Sequence, residues 1–165
     1  MMAAVLTASA EETRALGEQL GRSLANGDIL LLHGGLGAGK TTLTQGILNG
    51  LNATAPAQSP TFMLVSEHLG ETAGGQAVTI RHVDLYRLTS LEEVDSCGYA
   101  ELLDDPDGIV IVEWPERAME HLPSRFLLVS IDFAAGNHRT ITMTAFPGDD
   151  RPSETLQKVQ TLDAP

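Results

Sequence analysis

Cysteine and long apolar runs are both scarce in this sequence. Cys97 is the only cysteine among the 165 residues, so no disulfide can form within the chain, and a lone thiol suits a reducing compartment. No run approaches the roughly 20 apolar residues that a membrane-spanning helix needs. The N-terminal segment has neither the basic region nor the long apolar region of a secretory signal peptide. These absences predict a cytoplasmic protein with no membrane association.

Basic residues are also few. The chain has 10 Lys and Arg residues against 22 Asp and Glu residues, a formal net charge of −12, and Lys40 and Lys158 are its only lysines. Binding to a phosphate backbone requires a basic surface, so the composition argues against a chain that binds nucleic acid by itself. The acidic residues are unevenly spread, since none occurs between Asp28 and Glu67. Such an acid-free stretch is expected where an anion docks.

Apolar periodicity and turn residues predict the elements of the chain. The first part is predicted to contain a helix over 10–26, a buried strand at 29–32, a helix over 40–51 and a loop over 52–60. The second part is predicted to contain strands near 62–68 and 78–86, short helices between 90 and 103, a buried strand at 109–112, a short helix that starts at Pro115, and strands at 126–133 and 139–146. These elements predict one domain over 1–146, followed by a polar C-terminal tail over 147–165.

A glycine-rich loop joins the first buried strand to the second helix, and it matches the phosphate-loop pattern G-x-x-x-x-G-K-[ST]. The glycines let backbone amides curl around phosphate oxygens, and the helix that follows points its positive end at the same anion. Lys40 supplies a charge for the β- and γ-phosphates, and Thr41 offers a hydroxyl to Mg²⁺. The predicted nucleotide-binding residues are the loop and the threonine after it: Gly34, Gly35, Leu36, Gly37, Ala38, Gly39, Lys40, Thr41 and Thr42.

The order of helix, buried strand, glycine loop and helix, followed by further buried strands, predicts the fold class. It is a three-layer α/β fold of the P-loop NTPase type with a mostly parallel central sheet. A dinucleotide-binding fold fits poorly, because the glycine spacing differs and no acid follows the next strand at the required distance.

Two acids stand at the ends of apolar strands. Glu113 follows 109–112, and Asp84 lies in His82-Val83-Asp84-Leu85-Tyr86-Arg87, where strand alternation would put His82, Asp84 and Tyr86 on one face. A strand-end acid beside a phosphate loop can hold a metal-bound water or orient the attacking water. The predicted metal ligands are therefore Thr41, Asp84 and Glu113, although the sequence does not decide which acid holds the metal and which the water. Trp114 follows Glu113 directly, so on a strand its side chain should point the other way unless the strand has ended, and core packing fits it.

The ordered motifs resemble the TsaE family, formerly YjeE. The resemblance covers about 9–146 and rests on Gly-Leu-Gly-Ala-Gly-Lys-Thr-Thr, Ser-Pro-Thr-Phe, His-x-Asp-x-Tyr-Arg-Leu, Glu-Glu near Gly98-Tyr99, and Val-Glu-Trp-Pro-Glu. The family consists of bacterial ATPases required for the threonylcarbamoyladenosine (t6A) modification of tRNA. The resemblance implies an ATP- and Mg²⁺-dependent hydrolase that works with a complex of TsaB and TsaD and meets tRNA only indirectly.

The resemblance also implies roles for single residues. Thr61 belongs to a switch-like loop, Asp84 and Glu113 are the catalytic acids of the metal and hydrolysis site, and Trp114 lies beside the nucleotide. One departure is Gly35, where the family usually has Asp or Glu, so nucleotide affinity or switching is expected to differ here.

Three other functions compete with this interpretation. A small-molecule P-loop kinase needs an arginine-rich lid, and no such cluster is evident among the eight widely spaced arginines. A GTPase would need an N-K-x-D motif to recognise guanine, and the sequence has none. A nucleotide-dependent switch module would keep the loop but would not need Glu113.

Overall fold

The computed structural model describes residues 2–55, 65–104 and 107–146 of the chain. Thr61, with its predicted switch-like loop, and the predicted tail at 147–165 lie outside these residues. Within the described ranges, no helix is long and apolar enough to cross a membrane.

Strands and helices alternate through most of the described chain. The strands are β1 (Met2–Thr7), β2 (Ile29–Gly34), β3 (Val65–Glu71), β4 (Ala77–Asp84), β5 (Ile109–Glu113), β6 (Phe126–Phe133) and β7 (Arg139–Phe146). The α-helices are α1 (Ala10–Ser23), α2 (Lys40–Gly50), α3 (Leu91–Ser96) and α4 (Tyr99–Asp104), and a 3-10 helix covers Pro115–Ala118.

Four parallel strands form the centre of a seven-stranded sheet. The strand order is β1-β7-β6-β2-β5-β4-β3, in which β6, β2, β5 and β4 run parallel. The strands β7, β1 and β3 pair antiparallel at the two sides. The predicted α/β class with a parallel centre is confirmed. The antiparallel sides arise because β3–β4 and β6–β7 are joined by connections too short for a parallel crossover.

Helices cover both faces of the parallel centre, so the structure has three layers. On one face, Leu30 and Leu32 of β2 pack in a core cluster with apolar residues of α1 and α2. On the other face, Ile29 and Leu31 pack in a second cluster with α3, α4 and the 3-10 helix. Because successive side chains of a strand point to opposite faces, one uninterrupted apolar run supplies both cores.

Helix α1 begins where the capping pattern predicts, but it ends before the glycine that was expected to terminate it. Ser9 is the N-cap of α1 and accepts a hydrogen bond from the backbone N–H of Glu12, as the capping-box pattern predicts. The helix ends at Ser23 rather than at residue 26, because Leu24 is already extended. Gly27, with a φ of 93°, lies in the turn before β2, where its N–H donates to the carbonyl of Gly108.

Several strand predictions needed correction. Strand β4 ends at Asp84 rather than at residue 86, because its ladder with β5 ends at the pair Asp84–Glu113. Strand β1 was not predicted, although Met2–Thr7 alternates exposed and buried side chains along its whole length. It is held by pairing with β7, a partner more than a hundred residues away that local patterns do not reveal. Strand β3 continues to Glu71 rather than ending at residue 68, because its ladder with β4 runs on to the pair Glu71–Ala77.

Helices α1 and α2 cross at a contact built from glycines. A Cβ atom added to Gly46 would lie 2.2 Å from the carbonyl oxygen of Arg14, and one added to Gly17 would lie 2.4 Å from that of Leu43. Backbone atoms cannot move aside as a flexible side chain can. The close approach fixes α2, the helix that follows the glycine-rich loop, against α1.

We therefore expect Gly46→Ala to lower the free energy of unfolding by about 1–3 kcal/mol, the usual cost of overpacking a core. Gly74→Ala is the matched control, because its Cβ would meet only the Thr72 hydroxyl, at 3.9 Å, and its stability should change by less than about 0.5 kcal/mol. Urea unfolding measures both values. Equal stability of the two variants would contradict the close helix contact.

Candidate nucleotide-binding site

The glycine-rich loop connects the carboxyl end of β2 to the first turn of α2, and its shape depends on glycine at several positions. Gly37 and Gly39 have φ values of 77° and 116°, a region that residues with a Cβ rarely adopt. A Cβ at Gly34 would lie 2.7 Å from the carbonyl oxygen of Ile131. The first turn of α2 contains no acidic residue, so the positive end of its dipole is not offset there by a carboxylate.

Lys40 is buried beneath this loop. Its ammonium group donates hydrogen bonds to the carbonyl oxygens of Gly34 and Gly35, the second at 2.9 Å, and lies 3.9 Å from the centre of the Trp114 ring. Burial lowers the pKa of Lys40, and the negative charges of Glu113, Glu116 and Asp84 partly oppose that shift. A polyanion bound at the loop would favour the charged lysine in the same way that these carboxylates do.

Glu113, the last residue of β5, is the buried acid of the site, with a side chain only 4% exposed. One carboxylate oxygen accepts a hydrogen bond from the Thr41 hydroxyl at 3.3 Å, and the other lies 2.5 Å from Nε2 of His82. Alternation along β5 puts Glu113 on the same face as Ile111, which is the face that α2 covers. Glu113, which was predicted because it follows an apolar run, thus contacts Thr41, a predicted magnesium ligand.

Asp84 lies beside Glu113 because the two strands that end in these acids are parallel neighbours. The register of β4 and β5 pairs Asp84 with Glu113 directly. The Asp84 side chain is exposed, and one of its oxygens accepts the backbone N–H of Tyr86 at 3.0 Å. The two acids therefore differ, since one is buried and held by side chains while the other faces the solvent.

A cavity of about 300 Å³ brings these groups together at the carboxyl edge of the sheet. Residues 36–42 of the loop and helix α2 form one wall, and Asp84, Tyr86, Glu113 and Trp114 form the other. Hydroxyl and carboxylate oxygens are the ligands that Mg²⁺ prefers, and Thr41, Asp84 and Glu113 supply such a set on one side of the loop. The donor set therefore fits the predicted metal.

The Trp114 side chain both packs against a core cluster and lines the 300 Å³ cavity. The residue has a left-handed backbone conformation, with φ 62° and ψ 48°, so the chain turns away immediately after β5. The side chain packs against the second core cluster, and its ring lies 5.0 Å from that of Tyr86 and beneath the Lys40 ammonium group. The indole is therefore both a packing residue and part of the cavity wall.

A smaller cavity of about 130 Å³ lies on the other side of the loop, beyond Gly39 and Thr42. Ser9, Thr13, Asn137 and Arg139 contribute to its lining. Arg139 donates to the carbonyl oxygen of Ala38 at 3.0 Å, and its guanidinium lies 4.5 Å from the centre of the Phe133 ring. These contacts tie the hairpin of β6 and β7 to the glycine-rich loop.

Gly35 differs from the other loop glycines. It has no positive φ, and a Cβ there would meet only the Phe133 ring, at the ordinary contact distance of 3.5 Å. The backbone therefore has room for a side chain at the position where the sequence departs from the TsaE pattern. The Gly35 carbonyl remains available to Lys40 whichever residue stands there.

Sequence reasoning missed two neighbours of the site. His82 was expected only to share a strand face with Asp84, and its contact with Glu113 depends on the register of two strands. Arg139 gave no signal, because it reaches the loop from the other end of the chain. The Thr61 prediction cannot be placed, since that residue lies outside the described part of the chain.

Comparison with known proteins agrees with the resemblance seen in the motifs. The family model described as threonylcarbamoyl adenosine biosynthesis protein TsaE matches residues 7–141. A tRNA threonylcarbamoyladenosine biosynthesis protein TsaE from Nostoc is 40% identical over 148 residues, which are 88% of this chain and 87% of the relative. The protein of that name from Bacillus subtilis is 35% identical over 139 residues, 84% and 83% of the two chains.

A solved structure shows the same architecture. The crystal structure of Bacillus subtilis YdiB superposes with a TM-score of 0.71 at 28% sequence identity, covering 99% of this chain and 97% of that one. The family match, the identity to curated relatives and this superposition all extend over most of the chain. The chain therefore belongs to the TsaE family, the family of threonylcarbamoyl adenosine biosynthesis proteins.

Proposed function

We propose that this chain is a cytoplasmic P-loop ATPase of the t6A modification of tRNA, and that it hydrolyses ATP in concert with a complex of TsaB and TsaD. The observation that carries the proposal is the convergence of Lys40, Thr41, Asp84 and Glu113 on one cavity beside the glycine-rich loop. The names of the curated relatives supply the pathway.

The proposed binding step uses the loop and the start of α2. Backbone amides of the loop and the Lys40 ammonium group would hold the phosphates. Thr42 lines both the larger and the smaller cavity, so its side chain would face a nucleotide that extends from one cavity into the other. The smaller cavity, lined by Asn137 and Arg139, offers hydrogen-bonding groups for the nucleoside. Mg²⁺, held by Thr41 and Asp84, would supply charge neutralisation for the transferred phosphoryl group.

The proposed hydrolysis step divides the work between two acids. Glu113 is buried and oriented by side chains, which suits a group that positions the attacking water. Asp84 is exposed at the cavity wall, which suits a ligand to the hydrated metal. A small-molecule kinase is disfavoured, because the described lining of this cavity includes no arginine to clamp an acceptor.

The charge of the chain favours action through protein partners. With a formal net charge of −12 and one of its two lysines committed to the loop, the chain has little basic surface for a tRNA backbone. The tRNA contact would therefore come from the partner complex.

The partner dependence is tested by measuring ATP hydrolysis for the isolated chain, for the TsaB–TsaD pair and for the mixture. We expect the rate of ATP hydrolysis by the mixture to exceed the sum of the separate rates. In a separate binding measurement, we expect the isolated chain to bind tRNA weakly at physiological salt. Tight, steeply salt-dependent tRNA binding by the isolated chain, or no hydrolysis in any mixture, would overturn the proposal.

Replacing the loop lysine tests nucleotide binding. Lys40→Ala removes a charge-assisted contact worth about 1.5–3 kcal/mol, so the dissociation constant for Mg-ATP should rise by roughly tenfold to 150-fold. Arg22→Ala removes an exposed positive charge near the end of α1, where Arg22 pairs with Glu18, and should leave the constant unchanged. Isothermal titration calorimetry measures both, and equal affinities in the two variants would rule out the phosphate-loop assignment.

The two acids are tested by amide variants. Glu113→Gln and Asp84→Asn should each lower ATP hydrolysis by about a hundredfold or more while nucleotide binding is largely kept, since these groups act mainly in the transition state. Glu101→Gln on α4 is the control and should hydrolyse ATP normally. If both site variants also hydrolyse normally, the acids are only the ends of their strands.

A further inference from the structure

The carboxylate of Glu113 is held from two sides by groups of different kinds. Its Oε1 atom faces the Thr41 hydroxyl at 3.3 Å, and its Oε2 atom lies 2.5 Å from Nε2 of His82. The torsion that rotates a glutamate carboxylate has only broad preferences of its own. The two partners therefore decide which oxygen is presented to the cavity.

His82 reaches Glu113 from the side away from the loop. In the register of β4 and β5, His82 pairs with Ile111, two residues before the pair Asp84–Glu113, and it shares a strand face with Asp84. Its side chain is 20% exposed, and the described lining of the 300 Å³ cavity does not include it. The imidazole thus stands behind the carboxylate, out of the space that a substrate would occupy.

Because the Glu113 side chain is buried, loss of its contact with His82 would leave a carboxylate oxygen without a hydrogen-bond donor. A buried carboxylate oxygen that loses its hydrogen-bond donor must find another partner or move. If Oε2 were released, the whole group could rotate, and Oε1 would no longer be held toward Thr41.

We propose that His82 is a positioning residue for ATP hydrolysis: its Nε2–H donates to Oε2 of Glu113 and holds Oε1 toward Thr41 and the cavity. This inference rests on the proposed ATPase function and adds to it a residue that acts through Glu113. Groups that orient the ligands of a metal site by hydrogen bonding typically contribute tenfold to a hundredfold to activity, and we expect an effect of the same size from His82 on Glu113.

Other histidine–carboxylate pairs provide a comparison. His121 lies 2.7 Å from Asp95, and His33 lies 3.2 Å from Glu116, but the Asp95 and Glu116 side chains are 56% and 32% exposed. Solvent can replace the imidazole in such pairs. The pair of His121 and Asp95 therefore serves as a control for losing a histidine–carboxylate contact as such.

The test compares His82→Leu, His82→Gln and the control His121→Leu in the presence of the TsaB–TsaD pair. His82→Leu should lower kcat by about tenfold to a hundredfold while KM for ATP and the calorimetric Kd for Mg-ATP stay unchanged. His82→Gln keeps an N–H donor at similar reach and should restore most of kcat. His121→Leu should behave as the unsubstituted chain.

Several outcomes overturn the inference. An unchanged kcat in His82→Leu, or equal loss in the leucine and glutamine variants, would show that the donor to Glu113 is not needed. If His82→Leu does not fold, His82→Asn replaces it, because its shorter side chain should lose kcat where glutamine does not, and equal kcat in those two variants counts against the role. Absence of hydrolysis by the unsubstituted chain with its partners would instead overturn the ATPase proposal, and the role of His82 with it.

Discussion

The parallel register of β2, β5 and β4 is the constraint on which the site depends. These three strands end at the same edge of the sheet, with Leu32 of β2 paired with Glu113 and Glu113 paired with Asp84. One edge therefore carries the start of the glycine-rich loop, the buried acid and the exposed acid. None of these residues is near the others along the sequence, and hydrogen bonds between backbones bring them together.

The glycine-rich loop is held at this edge of the sheet by contacts with two other parts of the structure. The crossing of α1 and α2, with backbones in contact at Gly17 and Gly46, fixes the helix that begins at Lys40. Arg139 holds the Ala38 carbonyl from the far hairpin. A phosphate-binding loop acts by presenting pre-aimed donors, so rigidity of the support contributes directly to binding.

Much of this arrangement could be predicted from local patterns, and the remainder depends on long-range pairing. The glycine-rich loop and the acids closing apolar strands were predictable, because each signal lies within a few adjacent residues. Strand β1 and the contact of His82 with Glu113 were not, since strand alternation gives a face but not the neighbour on that face. Thr61 remains a prediction from motif alone.

We propose above all that the cavity beside Lys40 receives the phosphates of ATP. A crystal structure with Mg²⁺ and a non-hydrolysable ATP analogue tests it most directly. We expect the phosphates to be enclosed by residues 34–41, with the metal beside Thr41. The Lys40 ammonium group should have moved from the Gly34 and Gly35 carbonyls to phosphate oxygens. A nucleotide bound elsewhere, or bound at the loop with Lys40 still on those carbonyls, would contradict it.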